Sequence, residues 1–213
     1  MKHLLILLTC STLMVQAAHA QSYLGVMTLE KKVLQNPSFV GPTTLKEISA
    51  ESLSVIGPVE FHDLKVAKAT NITGEVMESA RGIFGSLTIT GPLSAKEIRC
   101  EKLDVTGPVT LSKFNVSGPT TIVGPLTATQ GTFQDLTLAA DQLPIELQDV
   151  TTQNILVKKD KMHKQIQTLR LKGKTVVKGT ITFESGEGLI EKDKAAQIQG
   201  KIIGATEKPA GEK

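Results

Sequence analysis

Aromatic residues and cysteine are scarce in this sequence. Aromatic side chains make up 3% of the 213 residues, with one Tyr and no Trp, and there are 2 cysteines. A core stacked on aromatic rings is therefore not expected, and the apolar interior must come from Ile, Leu, Val and Ala, a composition that favours strands in thin layers. Cys10 lies in the N-terminal apolar run. Its removal on export would leave only Cys100, so no internal disulfide is expected.

The only long apolar run stands at the N-terminus. Lys2 is followed by apolar residues from 4 to 15 and by the small residues Ala18 and Ala20. This is the pattern of a cleavable secretory signal at residues 1–20, with the cut after Ala20. The alternative, a membrane anchor, is weaker because the run is too short to cross a bilayer. We therefore predict a periplasmic or secreted protein with no transmembrane segment once the signal is removed.

An excess of charge of one sign is also missing. The chain has 24 basic and 21 acidic side chains, and removal of Lys2 leaves 23 against 21. So small an excess favours neither nucleic acid nor an anionic membrane as a partner.

What the sequence does contain is a repeat. Glycine recurs at successive intervals of 16, 17, 17, 16 and 17 along the chain, and proline follows it in five of the six cases. A fixed period is the signature of a repeat architecture. A seventh unit, from Leu143, keeps the proline as Pro144 and lacks the glycine. The corner residues so defined are Gly41, Pro42, Gly57, Pro58, Gly74, Gly91, Pro92, Gly107, Pro108, Gly124 and Pro125.

Apolar positions recur within each unit and alternate with polar ones, as in half-buried strands. The tenth position of successive units, for example, is Ala50, Val66, Ile83, Cys100, Val116 and Phe133, which we expect to point inward. The pattern predicts an all-β fold, a single-stranded β-helix (β-solenoid) with about 16–17 residues and three short strands per coil. Gly-Pro would form one corner, because glycine allows unusual backbone angles and proline lacks an N–H. A β-sandwich, the alternative, would not require the same residue type to return at this period.

The repeat also divides the chain into segments. Residues 41–204 are predicted to form the solenoid, with regular coils at 41–158, an irregular loop at 158–165 and further coils at 166–204. Residues 21–40 do not fit the repeat and are interpreted as an N-terminal cap. Residues 205–213 are predicted to be a disordered tail.

The segment Val176–Ala205, with "KGTITFESGEG" and "GKIIG", resembles the coils of bactofilin-like, polymer-forming β-helical proteins. The resemblance covers this segment directly, and the rest of the chain only through a similar coil length. It implies a right-handed β-helix that polymerises end to end and serves as a bacterial envelope or cytoskeletal scaffold.

Few residues are candidates for chemistry. Cys100 occupies an inward position and is interpreted as a small buried hydrophobe. His62 and His163 have no second ligand at a useful spacing, so no metal site is expected. Glu47 and Asp63 would form a carboxylate pair, but alternating charges on a solvated face explain them better. No catalytic residue, cofactor or metal site is predicted.

We therefore predict an exported, non-enzymatic structural or scaffold protein that associates with its own copies or with envelope proteins or polysaccharide. The alternative is a secreted surface binding module or adhesin that uses one face of the solenoid. A carbohydrate-active enzyme is a weaker third candidate, because no convergent site is visible.

Overall fold

A computed structural model describes residues 21–139, 145–159 and 166–209. These residues contain strands and no helix, so none of them forms a helix that could cross a bilayer. The strands are β1 (Ser22–Leu24), β2 (Met27–Leu34), β3 (Ser38–Val40), β4 (Thr43–Ala50), β5 (Leu53–Ile56), β6 (Val59–Thr73), β7 (Val76–Thr90), β8 (Leu93–Thr106), β9 (Val109–Val116), β10 (Thr120–Val123), β11 (Leu126–Thr132), β12 (Asp135–Ala139), β13 (Ile145–Thr152), β14 (Asn154–Val157), β15 (Thr168–Lys172), β16 (Val176–Val177), β17 (Ile181–Phe183), β18 (Gly188–Lys192), β19 (Gln197–Ile198), β20 (Ile202–Ile203) and β21 (Ala205–Pro209).

The strands stack in parallel as a β-solenoid of about ten turns, which confirms the predicted fold class. Each inner strand pairs with the equivalent strand one coil before and one coil after it. Leu126, for example, lies between Val109 and Ile145. All three side chains are buried, so identical positions stack into apolar columns along the axis. Removing this apolar surface from water is the main source of stability.

The glycine corner depends on close backbone contact between coils. The six repeat glycines have φ between 123° and 147°, which favours glycine. A Cβ on Gly57 would stand 2.7 Å from the carbonyl oxygen of Gly41 in the preceding coil. The proline beside the glycine contributes its carbonyl, as when Met27 N–H donates to Pro42 at 2.9 Å. Any side chain at the glycine position would therefore push the coils apart.

A second corner is formed by residues other than glycine in the left-handed conformation, which is uncommon for them. One residue per coil has φ between 51° and 58°, and the residues stack as a column: Lys31, Glu47, Asp63, Arg81, Glu97, Lys113, Gln130 and Asp149. Gly173, with φ 57°, continues the column in the next coil. We call this the left-handed column.

Glycines inside strands make room for phenylalanine rings in the core. A Cβ on Gly82 would clash with the ring of Phe84, and a Cβ on Gly131 would clash with that of Phe114. Phe84 is buried, whereas Ile83 is 47% exposed. The predicted inward orientation of Ile83 is therefore wrong, because an extra residue earlier in its coil shifts Phe84 into that position.

Two segment assignments also need correction. Residues 22–40 are not a separate cap but continue the solenoid, since β1 pairs with β3 and β2 pairs with β4 in parallel register, and β2 with β3 forms the first full coil. Residues 205–209 are not disordered, because they form β21 against β18. The signal with Ala18 and Ala20, the start of the seventh unit at Leu143, positions 160–165 of the loop and positions 210–213 of the tail lie outside the described residues.

The coils at 41–139, the first region, and those at 166–209, the second region, turn differently. Leu169 pairs with Ile190 in the second region, whereas Val109 pairs with Leu126 in the first, so the later coil is the longer one. Some corners of the second region are held by side-chain bonds between coils, and two of these side chains belong to the preceding coil at 145–159. Asp149 accepts from Lys174 N–H at 2.8 Å, Asn154 from Thr180 N–H at 2.9 Å and Asp193 from Gly173 N–H at 2.9 Å.

Candidate functional site

Cys100 is a core residue in the structure. Its side chain is buried and it is a free thiol. Burial raises the pKa of the Cys100 thiol to about 12. A nucleophilic cysteine reacts as the thiolate, so this environment opposes nucleophilic chemistry at neutral pH.

The histidine and carboxylate candidates lie on the surface. His62 Nε2 is 3.1 Å from Glu60 Oε1, and the described residues contain no group of three or more His, Cys, Asp or Glu that could hold a metal ion. His163 lies outside the described residues. Glu47 and Asp63 occupy neighbouring positions of the left-handed column. Asp63 is bound by Arg81, whose Nε and Nη2 donate at 2.6 and 2.7 Å.

This ion pair sets the charge state of Asp63. The hydrogen bond from Arg81, more than the nearby positive charges, holds the pKa of the Asp63 carboxyl below its ordinary value. The pKa of Arg81 is raised by the same bond. A carboxyl that stays ionised is a poor general acid, so this ion pair opposes that role for Asp63.

A surface groove runs along this side of the solenoid. It has a volume of about 460 Å³ and is lined by Asp63, Lys65, Arg81, Ile83, Glu97, Arg99 and Lys113. We call it the corner groove. One wall is the left-handed column, and the other is a strand column in which Lys65 pairs with Ile83 and Ile83 with Arg99. The coils that supply these side chains have similar sequences but differ in charge at equivalent positions.

A β-bulge shapes the groove. The register between β6 and β7 shifts between Val59 and His62, and that between β7 and β8 shifts between Val76 and Ser79. Ser79, which is buried, fixes the bulge: its hydroxyl accepts from Phe61 N–H at 3.0 Å and donates to the Met77 carbonyl at 2.9 Å. Bulges redirect the side chains that follow them. Here the bulge turns Ile83 toward solvent.

Within the part of the chain that the structure describes, the N-terminal end of the solenoid is an unpaired, apolar edge. Strands β1 and β2 each pair with a strand on only one side among the described residues. Tyr23, Met27, Leu29 and Leu34 continue the core columns but are only partly buried. On the outer face Leu24 stacks on Val40, and Val40 on Ile56, with exposures of 83%, 40% and 54%. We call these three residues the apolar strip. Lys32 is the one charged residue at an inward position of this first coil.

The C-terminal end is different. Lys192 takes the position that Leu171 has one coil earlier, and Glu207 takes that of Ile190. Lys192 Nζ lies 3.3 Å from Glu207 Oε1 and donates to the Ala196 carbonyl at 3.3 Å. Pro209 stands in the last strand. Inward charges and proline at an edge are known devices against strand addition. Ile198 and Ile202 remain partly buried beside them.

Comparison with protein-family models, curated proteins and solved structures finds no match to this chain. The resemblance to bactofilin-like proteins therefore stays a prediction.

Neither the corner groove nor the unpaired N-terminal edge was predicted from the sequence. The interval from Gly57 to Gly74 equals that from Gly74 to Gly91, so the glycine spacing does not reveal the bulge. A signal was present nonetheless: Gly82 stands where the next coil has Ile98. A signal for the first coil was present too, because Gly25 stands 16 residues before Gly41, although Val26 follows it instead of proline.

Proposed function

We propose that the chain is an exported, non-enzymatic structural protein of the bacterial envelope, a β-helical rod that joins a second copy through its N-terminal end. Export rests on the signal pattern at residues 1–20. A structural role is supported by the buried Cys100 and the ion-paired Asp63, the two residues best placed by type for chemistry. With coils about 4.8 Å apart, ten turns make a rod about 50 Å long.

The observation that carries the proposal is the contrast between the two ends. The N-terminal end combines an unpaired strand edge, part-buried core residues and the apolar strip. Exposed apolar patches mark interaction sites, and open edges pair with other strands. At the C-terminal end, the inward columns instead carry the Lys192–Glu207 ion pair and Pro209. Association of two N-terminal ends would bury like surfaces about a two-fold axis and would give a closed dimer.

Sedimentation velocity over a wide concentration range tests this proposal. We expect the chain from Gln21 to form a dimer. Leu24→Lys places a charge on the apolar strip and should give a monomer. Ile203→Lys, a matched change at an exposed apolar residue of the C-terminal end, should leave the dimer intact. A monomer at all concentrations, filaments, or equal behaviour of the two variants would contradict the proposal.

The alternative, a surface binding module, is favoured by a specific observation, the corner groove. Labelling of intact cells would separate the two functions, because a surface module is accessible and a periplasmic rod is protected.

A further inference from the structure

The two walls of the corner groove differ in their charge balance. Where the left-handed column lines the groove, its four charges alternate and are paired: Arg81 binds Asp63, and Lys113 Nζ lies 3.8 Å from Glu97. On the strand column, Lys65 and Arg99 form no ion pair with any residue of the described ranges. The groove thus holds four cations, Lys65, Arg81, Arg99 and Lys113, against the two anions Asp63 and Glu97. Its excess of two positive charges lies on one wall.

Between these two cations stands an exposed apolar side chain. Ile83 pairs with Lys65 on one side and with Arg99 on the other, and it is 47% exposed. Equivalent strands lie about 4.8 Å apart, so the two cations flank Ile83 at about 10 Å from each other along the axis. The bulge held by Ser79 builds this arrangement, because it moves Phe84 into the core and leaves Ile83 in the groove.

We propose that the corner groove binds an amphipathic anion, a molecule with a phosphate, sulfate or carboxylate group next to an apolar portion. Arg99 and Lys65 contact the anionic group, since guanidinium and ammonium groups form strong charge-assisted hydrogen bonds with such oxygens. Ile83 covers the apolar portion. Asp63 and Glu97 keep Arg81 and Lys113 paired, so that the anion is directed to the strand column.

Octyl phosphate, inorganic phosphate and octyl glucoside are suitable probes, measured by titration calorimetry on the whole chain. The first carries both features of the ligand, the second only the anion and the third only the apolar chain. We expect octyl phosphate to bind most tightly and its binding to weaken as salt is added. Octyl glucoside binding as tightly as octyl phosphate would overturn the role of the cations. Inorganic phosphate binding equally tightly would overturn the role of Ile83.

Variants locate the site. Lys65→Gln with Arg99→Gln should weaken octyl phosphate binding about tenfold or more, because charge-assisted hydrogen bonds are lost. Ile83→Thr should weaken octyl phosphate and leave inorganic phosphate unchanged. The control, Lys178→Gln with Lys201→Gln, removes the same charge from exposed positions of the second region and should bind as the unchanged chain does. Equal affinities in both double variants would overturn the proposal. Because the residues substituted in both double variants are exposed, we expect these variants to fold normally. Their unfolding temperatures check this directly.

Discussion

The first and second regions bury similar apolar columns but hold some of their corners by different means. At the corner of Gly91 adjacent coils touch through their backbones, so a Cβ on Gly91 would clash with the carbonyl oxygen of Gly74. In the second region Gly200 makes the same kind of contact with Gly179, and polar side chains such as Asp193 and Thr175 also bond the backbone of a neighbouring coil. The glycine contact tolerates no side chain, whereas the additional bonds of the second region require particular ones. Two regions with similar cores can therefore differ in how much stability they lose when a corner residue is mutated.

The largest effect should come from Gly91→Ala. The new methyl group would clash with backbone of the adjacent coil while φ is 138°, so we expect a loss of about 3 kcal/mol in the free energy of unfolding. The matched change in the second region is Gly186→Ala. Gly186 also has a positive φ, 77°, but a Cβ there would meet nothing within 4 Å. Its cost should be about 1 kcal/mol. Denaturant unfolding measures both, and equal losses would contradict the steric explanation.

Buried threonines provide the next test. The Thr175 hydroxyl donates to the Lys172 carbonyl at 2.7 Å and lies 3.0 Å from that of Leu147. Thr175→Val keeps the shape but removes these bonds, at an expected cost of about 2 kcal/mol. In the first region the buried Thr70 hydroxyl has no partner among the described residues. Thr70→Val should therefore raise the free energy of unfolding, by about 1 kcal/mol.

Thermal unfolding of the two valine variants gives opposite shifts if this explanation holds. A loss of stability in Thr70→Val comparable to that in Thr175→Val would show that the two hydroxyls are equally well bonded.

Thiol labelling compares the local stability of the two regions. Strand β8, which contains Cys100, has 14 residues, whereas β16, β19 and β20 have 2 each. We expect Cys100 to react at least about tenfold more slowly than a cysteine placed at the buried Ala196 in a Cys100→Ala background, because shorter ladders open more readily. Alanine already occupies the same column at Ala50. Similar rates at pH 8 would contradict this difference.

The Cys100 thiol also gives a pH dependence. Its pKa in the folded chain is about 12 because of burial, while an unfolded thiol titrates near 8.5. The unfolded state therefore loses its proton first, and the stability tied to the neutral thiol is lost as pH rises from about 8.5 toward 12. Unfolding of Cys100→Ala should lack this part of the alkaline loss, and an unchanged pH profile would contradict it.

The smallest effect concerns the left-handed column. In the first region Gln130 occupies it with φ 54°, whereas in the second region Gly173 does so with φ 57°. Gln130→Gly should raise the free energy of unfolding by about 0.5 kcal/mol, because relief of the left-handed strain exceeds the entropic cost of glycine. Gln148→Gly, at an exposed strand position, should lower it by a similar amount. Shifts of the same sign in the two variants would contradict this reasoning.

The fold could be predicted from the sequence because the repeat is visible in the order of the residues and because close contact between coils requires glycine. Glycine is needed wherever coils meet closely, and its spacing indicated the coil length and the inward columns. The left-handed column carried no such signal, since residues as different as Lys113, Gln130 and Asp149 occupy it. Strand β21 was missed because "ATEKP" is polar, and its pairing with β18 depends on a neighbour rather than on its own composition. The corner groove was hidden for a similar reason, because it depends on one extra residue within an unchanged interval.

The glycine corner has a consequence for how such a chain changes length. Each corner carbonyl of the first region lies against the glycine of the next coil, so removal of one whole unit would preserve this contact. Deleting Gly91–Thr106 would bring Gly107 onto Gly74 and shorten the rod by one step of about 4.8 Å. The same deletion would remove Glu97 and Arg99 from the corner groove. The length of the rod therefore changes in steps of one coil, and the corner groove lies at one fixed position along it.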